Sequence, residues 1–145
     1  MTIQAVLFDL DGVLAESEQM YKAIAHDLLA ELGADVDFND PKFTGIGFHG
    51  AFALALREAG LQGDPTALSN ALFPRFLADI KSLRPVPGAP EAVHEIQKRY
   101  RTAIVSSSPR LIVEPILAQL GMHFSLSVCE LEDSVWTPLP PPTVR

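Results

Sequence analysis

The fold of this chain is decided by residues 5–14, which read AVLFDLDGVL. The apolar run over residues 5–8 predicts a short buried strand, and Gly12 marks the turn that ends it. Asp9 and Asp11 therefore belong at the carboxyl end of that strand, the edge of an open α/β sheet at which ligands bind. Two carboxylates held there can have different catalytic roles, one as the nucleophile and the other as the group that donates and accepts protons. The alternative is an ordinary surface turn, because Asp and Gly are common turn residues.

The composition indicates one globular domain, or one domain with an insertion, in 145 residues. No apolar run approaches a membrane span, and we expect no secretory signal, because no basic segment precedes the first apolar run. A net charge of −7 argues against a nucleic-acid partner. The single cysteine, Cys129, is compatible with a reducing cytoplasm and is interpreted as a small apolar residue at a strand end. We therefore expect a cytoplasmic protein without nucleic-acid or membrane partners.

Helical patterns dominate the first part of the chain after the opening strand. Three helices are expected there, over residues 17–32, 51–59 and 65–82. Ser17 is expected to cap the first of them, and Pro74 to kink or split the third. Beyond a turn at residues 84–88, a helix, a strand, a helix and a strand are expected, over residues 90–100, 102–105, 108–121 and 124–129. This order predicts an α/β fold with a Rossmann-like parallel sheet and an inserted all-helical block.

Three segments together resemble motifs of the haloacid dehalogenase (HAD) superfamily. Residues 9–14 look like its motif I, D-x-D-G-[TV]-[LI], and residues 87–93 look like its entry into the core after the cap. Residues 103–108 look like motif II, an apolar strand that ends in Ser or Thr. Helices inserted after motif I are typical of the helical-cap subfamily, which includes phosphoglycolate phosphatases and β-phosphoglucomutase-like proteins.

The resemblance covers about residues 1–130 and implies a division of the chain. In this division, residues 1–15 and 85–135 form a discontinuous HAD core that lacks the last strands. Residues 16–84 form a helical cap, and residues 136–145 form an irregular proline-rich tail. A helical cap excludes water from the site and contacts the substrate.

The same resemblance implies a role for each site residue. Asp9 attacks phosphorus and forms an aspartyl-phosphate, while Asp11 protonates the leaving oxygen and later activates water. Ser106 donates a hydrogen bond to a phosphoryl oxygen, and Ser107 and Gly12 also bind the phosphate. The Asp9 carboxylate and the Asp11 carbonyl, together with an acidic residue from motif IV, hold Mg²⁺, which offsets the repulsion between a carboxylate and a phosphate dianion. The implied function is a Mg²⁺-dependent phosphatase acting on a small phosphorylated metabolite.

The cap sequence bears on a second enzyme class, a β-phosphoglucomutase-like phosphoryl-transfer enzyme. Such mutases carry a His at the position of Tyr21, and an Arg in the loop that corresponds to residues 44–49, where this chain has none. Tyr21 is interpreted as a packing residue and His49 as an exposed one, with substrate contact as the alternative for each. Asp11 favours phosphoryl transfer over dehalogenation, because haloacid dehalogenases proper lack that acid.

The resemblance weakens toward the end of the chain. The family requires a Lys in a K-P-x-P context and an acidic pair on a further strand. Thr137 stands at the Lys position and Pro141 at the position of the following Asp. Losing one such cation or ligand costs about 10²–10³-fold in rate. Glu130, Glu132 and Asp133 are candidate substitute metal ligands, with a solvated acidic loop as the other interpretation.

These departures support an alternative hypothesis, a catalytically impaired or inactive fragment of a longer phosphatase, produced by truncation or a frameshift. Without a further strand, residues 6–8 would form an exposed apolar edge, which invites self-association. If the hypothesis is correct, we expect the downstream DNA to encode a G-[KR]-P-x-P or G-D-[ST]-like sequence in another frame.

Overall fold

A computed structural model describes residues 2–130 of the chain. Its strands and helices are β1 (Ala5–Phe8), α1 (Glu18–Ala30), α2 (Gly47–Ala59), α3 (Pro65–Ala78), α4 (Ala89–Gln97), β2 (Arg101–Pro109), α5 (Arg110–Leu120) and β3 (Ser127–Glu130). Short 3₁₀ turns at Pro41–Phe43 and Ile80–Ser82 follow α1 and α3. None of the described helices is both long enough and apolar enough to cross a bilayer. Thr137, Pro141, Glu132, Asp133 and the tail at 136–145 lie outside the described residues.

The three strands form a parallel sheet in the order β1-β2-β3, which confirms the predicted fold class. Phe8 of β1 pairs with Ile104 of β2, and Val105 pairs with Val128 of β3. Because the strands are parallel, their carboxyl ends meet at one edge of the sheet. That edge brings Asp9, directly after β1, next to the serines that end β2.

Within residues 2–130, helices cover one face of this sheet more completely than the other. Ile104 is fully buried, and α5 packs on its side of the sheet. On the opposite face Leu7, Val105 and Val128 are 66%, 41% and 49% exposed. The prediction that β1 is buried is therefore wrong for the described part of the chain, where β1 is an edge strand with one open face.

The helical block has an aromatic core of its own. Helix α3 packs against both α1 and α2, and Phe52 and Phe76 are buried among them. Across the surface of this block, the guanidinium of Arg75 on α3 donates to both carboxylate oxygens of Glu31 at the end of α1, at 2.7 and 2.8 Å. Burial of aromatic surface stabilises the block far more than this exposed ion pair does.

Two adjacent segments connect the helical block to the sheet. The Glu16 amide donates to the Arg84 carbonyl at 2.9 Å, and the Val86 amide donates to the Leu14 carbonyl at 3.0 Å. The chain thus leaves and re-enters the sheet region at one place. The predicted boundaries between core and cap, after residues 15 and 84, fall on these two hydrogen-bonded segments. The division into core and cap stays a prediction.

Helix α3 begins where the sequence predicts and continues where a break is expected. Asp64 accepts the Thr66 amide at 2.9 Å, and Pro65 is the first helical residue. Pro74 does not split the helix. Leu72 and Phe76 on either side of it are fully buried, and their packing offsets the roughly 3 kcal/mol that an internal proline costs.

Candidate active site

The two predicted acids lie on a tight turn after β1. Asp9 is exposed, and its Oδ1 accepts the Leu10 amide at 2.7 Å. Asp11 is half-buried. Gly12 has a φ of 74°, a left-handed conformation that glycine adopts without steric cost. Its amide donates to the Ala15 carbonyl at 2.9 Å, so the turn folds back before the chain enters α1.

Asp11 is held by two serine hydroxyls, one on each carboxylate oxygen. Ser17 donates to Oδ1, and Ser108 donates to Oδ2 at 2.7 Å. Both serines are buried. A carboxylate can only accept hydrogen bonds, so both hydroxyls must donate. The side chain of Asp11 is thereby fixed from two directions, by the residue before α1 and by the end of β2.

Ser17 does not act as the predicted cap of α1. It occupies the N-cap position, but its hydroxyl bonds to Asp11 and makes no capping hydrogen bond. Charge explains this preference, because a hydrogen bond to a carboxylate is stronger than one to a neutral amide.

The three serines at the end of β2 have different surroundings. The buried Ser106 hydroxyl accepts the Ser108 amide at 3.0 Å. Ser107 and Ser108 line a cavity together with Asp11. Ser106 and Ser107 were expected from the sequence, whereas Ser108 was missed as the partner of Asp11. Side chains two positions apart on a strand lie on the same face of the sheet. The alternation of side chains along β2 is therefore the sequence signal that places Ser108 beside Ser106.

A cavity of about 850 Å³ separates the acidic turn from the helical block. Its helical side is lined largely by apolar side chains: Phe38, Phe43, Ile46, Phe48, Phe52 and Phe73. Tyr21, Lys22 and His49 also line it. His49 is exposed as expected, but it faces this cavity.

The acidic turn offers oxygen donors of the kind that Mg²⁺ takes. Within residues 2–130, no group of three or more His, Cys, Asp or Glu side chains is arranged to hold a metal ion. Mg²⁺ commonly binds through one or two carboxylates and keeps phosphate and water as its other ligands. The Asp9 carboxylate and the Asp11 carbonyl are oxygen ligands of this kind, and their use as a Mg²⁺ site stays a prediction. Glu132 and Asp133 lie outside the described residues, as does the side chain of Glu130.

The sequence and this geometry agree with a comparison against known protein families. The family model of the haloacid dehalogenase-like hydrolases matches residues 3–142. This chain belongs to that family. The match includes the acidic turn, the helical block and the serines of β2, so the site of this HAD-like hydrolase is built from the parts that the family model covers.

Relatives of this HAD-like hydrolase include two curated proteins. Protein SUPPRESSOR OF QUENCHING 1, chloroplastic, from Arabidopsis thaliana is 34% identical over 132 residues, a match that covers 86% of this chain and 12% of that protein. The plasmid phosphoglycolate phosphatase of Cupriavidus necator is 32% identical over 144 residues, covering 95% of this chain and 62% of that protein. The HAD-like hydrolase thus spans less than two thirds of either relative.

Solved structures share the fold of this HAD-like hydrolase. A crystal structure from Haemophilus somnus, described as that of a predicted phosphoglycolate phosphatase, matches with a TM-score of 0.77 at 20% identity. The match covers 92% of this chain and 66% of that one. At this identity the likeness establishes the fold alone.

Proposed function

We propose that this HAD-like hydrolase is a Mg²⁺-dependent phosphatase that cleaves a small phosphomonoester through an aspartyl-phosphate on Asp9. The observation that carries the proposal is the fixed carboxylate of Asp11, held by Ser17 and Ser108 at the wall of a cavity large enough for a metabolite. Family membership and a phosphatase relative support the reaction class.

In the proposed reaction, a carboxylate oxygen of Asp9 attacks phosphorus, the bond from phosphorus to the leaving oxygen breaks, and that oxygen takes a proton from Asp11, which is protonated at this stage. Asp11 then removes a proton from the water that attacks the phosphoryl group, which releases phosphate and restores Asp9. Oδ1 of Asp9 accepts the Leu10 amide, so Oδ2 is the oxygen assigned to attack. Bound Mg²⁺ would supply the positive charge that lets a carboxylate approach a phosphate. Ser107 and Gly12 are assigned to the phosphate.

The test is hydrolysis of p-nitrophenyl phosphate by the purified chain, with Mg²⁺ and with EDTA. We expect phosphate release that requires Mg²⁺ and returns when Mg²⁺ is added back in excess over the chelator. Equal rates in EDTA and in Mg²⁺ would contradict the proposal.

A second candidate is a catalytically impaired chain that self-associates. It is favoured by the position of β1, which is an edge strand of the described sheet and leaves Asp9 exposed. An unpaired strand edge next to an open apolar face is a surface on which a second copy pairs. Light scattering that shows a defined homodimer, together with no Mg²⁺-dependent hydrolysis, would favour this candidate over the phosphatase.

The serine that holds Oδ2 of Asp11 gives a specific prediction. Ser108→Ala removes a hydrogen bond to a charged group, worth about 1.5–3 kcal/mol, so kcat is expected to fall roughly 10- to 100-fold. Steady-state kinetics on p-nitrophenyl phosphate measure this fall. Ser82→Ala is the control, because the exposed Ser82 hydroxyl donates to the Asp79 carbonyl and its loss is expected to leave kcat unchanged. A parental kcat in Ser108→Ala would show that this bond does not position the acid.

A further inference from the structure

The Tyr21 hydroxyl is a buried polar group without a hydrogen-bond partner among the described residues. The residue is 5% exposed. Its ring stacks on Phe76, with centroids 4.4 Å apart and planes at 17°, and tilts against Phe48 at 4.9 Å. Two aromatic contacts therefore fix the direction of the hydroxyl. The sequence-based interpretation of Tyr21 as a packing residue accounts for the ring and leaves the oxygen unexplained.

Packing alone would favour phenylalanine at this position. A buried hydroxyl that has left water without gaining a partner destabilises the folded state. The Ser108 hydroxyl is close enough to affect the phenol but does not meet the geometry of a hydrogen bond with it, and it donates to Asp11 at 2.7 Å. An unpaired hydroxyl that costs stability, on a residue that lines a cavity, indicates a ligand.

The protonation state of Tyr21 makes it a donor. Burial raises the pKa of the phenol far above its usual value, and the negative charge of Asp11 raises it further, whereas the polar Ser108 acts in the opposite direction. The hydroxyl therefore keeps its proton near neutral pH, and it can donate to an acceptor oxygen.

The charges around the cavity restrict the ligand further. Two acids, Asp11 and Glu18, line the cavity, and Glu18 contributes negative charge. Lys22 is the one Lys or Arg among the described lining residues, and its ammonium lies 3.9 Å from Glu18. These charges disfavour a leaving group that carries a further negative charge, because it would lie near two acids and near a lysine already paired with one of them. Phe48 and Phe73 instead offer apolar surface to an uncharged group.

We propose that Tyr21 is a substrate-binding residue that donates a hydrogen bond to a non-bridging phosphoryl oxygen, an atom that phosphonates share with phosphomonoesters, and that the cavity selects phosphomonoesters of uncharged alcohols with an apolar body. This inference rests on the proposed function for the location of the phosphoryl group. Its test does not depend on turnover.

The experiment measures binding of phenylphosphonate, which is not hydrolysed, to the parent chain and to Tyr21→Phe in the presence of Mg²⁺. Calorimetry is expected to show affinity about tenfold lower in the variant, the effect of one lost hydrogen bond. Without ligand, the same variant is expected to melt roughly 2–6 °C higher than the parent, because the unpaired hydroxyl is gone. A packing residue that binds no ligand would not combine higher stability with weaker binding.

Tyr100→Phe is the matched control, since Tyr100 is the other of the two tyrosines in the chain and is exposed. We expect it to change neither the melting temperature nor the affinity. Methylphosphonate is expected to bind the parent more weakly than phenylphosphonate, because it lacks the apolar body.

Several outcomes would overturn the inference. They are a lower melting temperature for Tyr21→Phe, unchanged phenylphosphonate affinity in that variant, equal affinity of the parent for the two phosphonates, and no phenylphosphonate binding by the parent. Tyr21-dependent binding in a chain without phosphatase activity would support the ligand site and reject the proposed function.

Discussion

Asp9→Asn is expected to lower the Mg²⁺-dependent hydrolysis of p-nitrophenyl phosphate by at least about 10⁴-fold, the scale on which an enzyme loses its nucleophile. An amide does not attack phosphorus, and the variant also loses the negative charge assigned to Mg²⁺. The fold is expected to survive, because Asn can accept the Leu10 amide as Asp9 does and the position is exposed. Stopped assays for released phosphate, with far-UV circular dichroism to verify folding, measure the effect.

The control for this prediction is Asp35→Asn, which removes the same charge from a fully exposed side chain that contacts His26. We expect its rate to equal that of the parent. A folded Asp9→Asn variant that retains more than about 1% of parental activity would place the nucleophile elsewhere, since a missing nucleophile costs far more than 100-fold.

Ile112→Ala is expected to destabilise the protein by about 2–5 kcal/mol, because truncating a buried Ile loses apolar burial and leaves a cavity. Ile112 is 0% exposed, and it lies on α5, the helix that packs on the sheet. For a chain of this size the melting temperature is expected to fall by roughly 5–15 °C. Thermal and urea denaturation followed by circular dichroism measure the loss.

The neighbouring residue provides a matched comparison. Leu111 is 45% exposed on the same helix, so Leu111→Ala is expected to change stability by at most about 0.5 kcal/mol. The two variants remove similar side chains from adjacent positions and differ in burial. Similar losses for both would mean that α5 does not pack on the sheet through the face that contains Ile112.

The sequence predicts those parts of the molecule whose signals are local. Residues 5–14 carry both the strand and the acidic turn within ten positions, and Asp64 with Pro65 specifies the start of α3. The family model and the parallel sheet confirm the family and fold class. The roles assigned to Asp9, Asp11, Ser106, Ser107 and Gly12 stay predictions.

The parts that the sequence does not predict depend on contacts between distant segments. Ser108 bonds to Asp11 across 97 positions, and the alternation of β2 places Ser108 on the face of Ser106 without showing that it reaches Asp11. The continuity of α3 through Pro74 depends on the burial of Leu72 and Phe76, which outweighs the local preference against proline. The unpaired Tyr21 hydroxyl cannot be predicted either. The sequence shows an aromatic residue at helical spacing, but it does not show which groups surround the hydroxyl oxygen.

The two hydrogen bonds to Asp11 come from different parts of the molecule, one from the helical block and one from the sheet. Ser17 directly precedes α1 of the helical block, whereas Ser108 belongs to the sheet. A rotation of that block about the segments joined at Glu16 and Arg84 would pull one oxygen of the carboxylate and leave the other anchored. The orientation of the Asp11 carboxylate therefore depends on how the helical block is placed against the sheet.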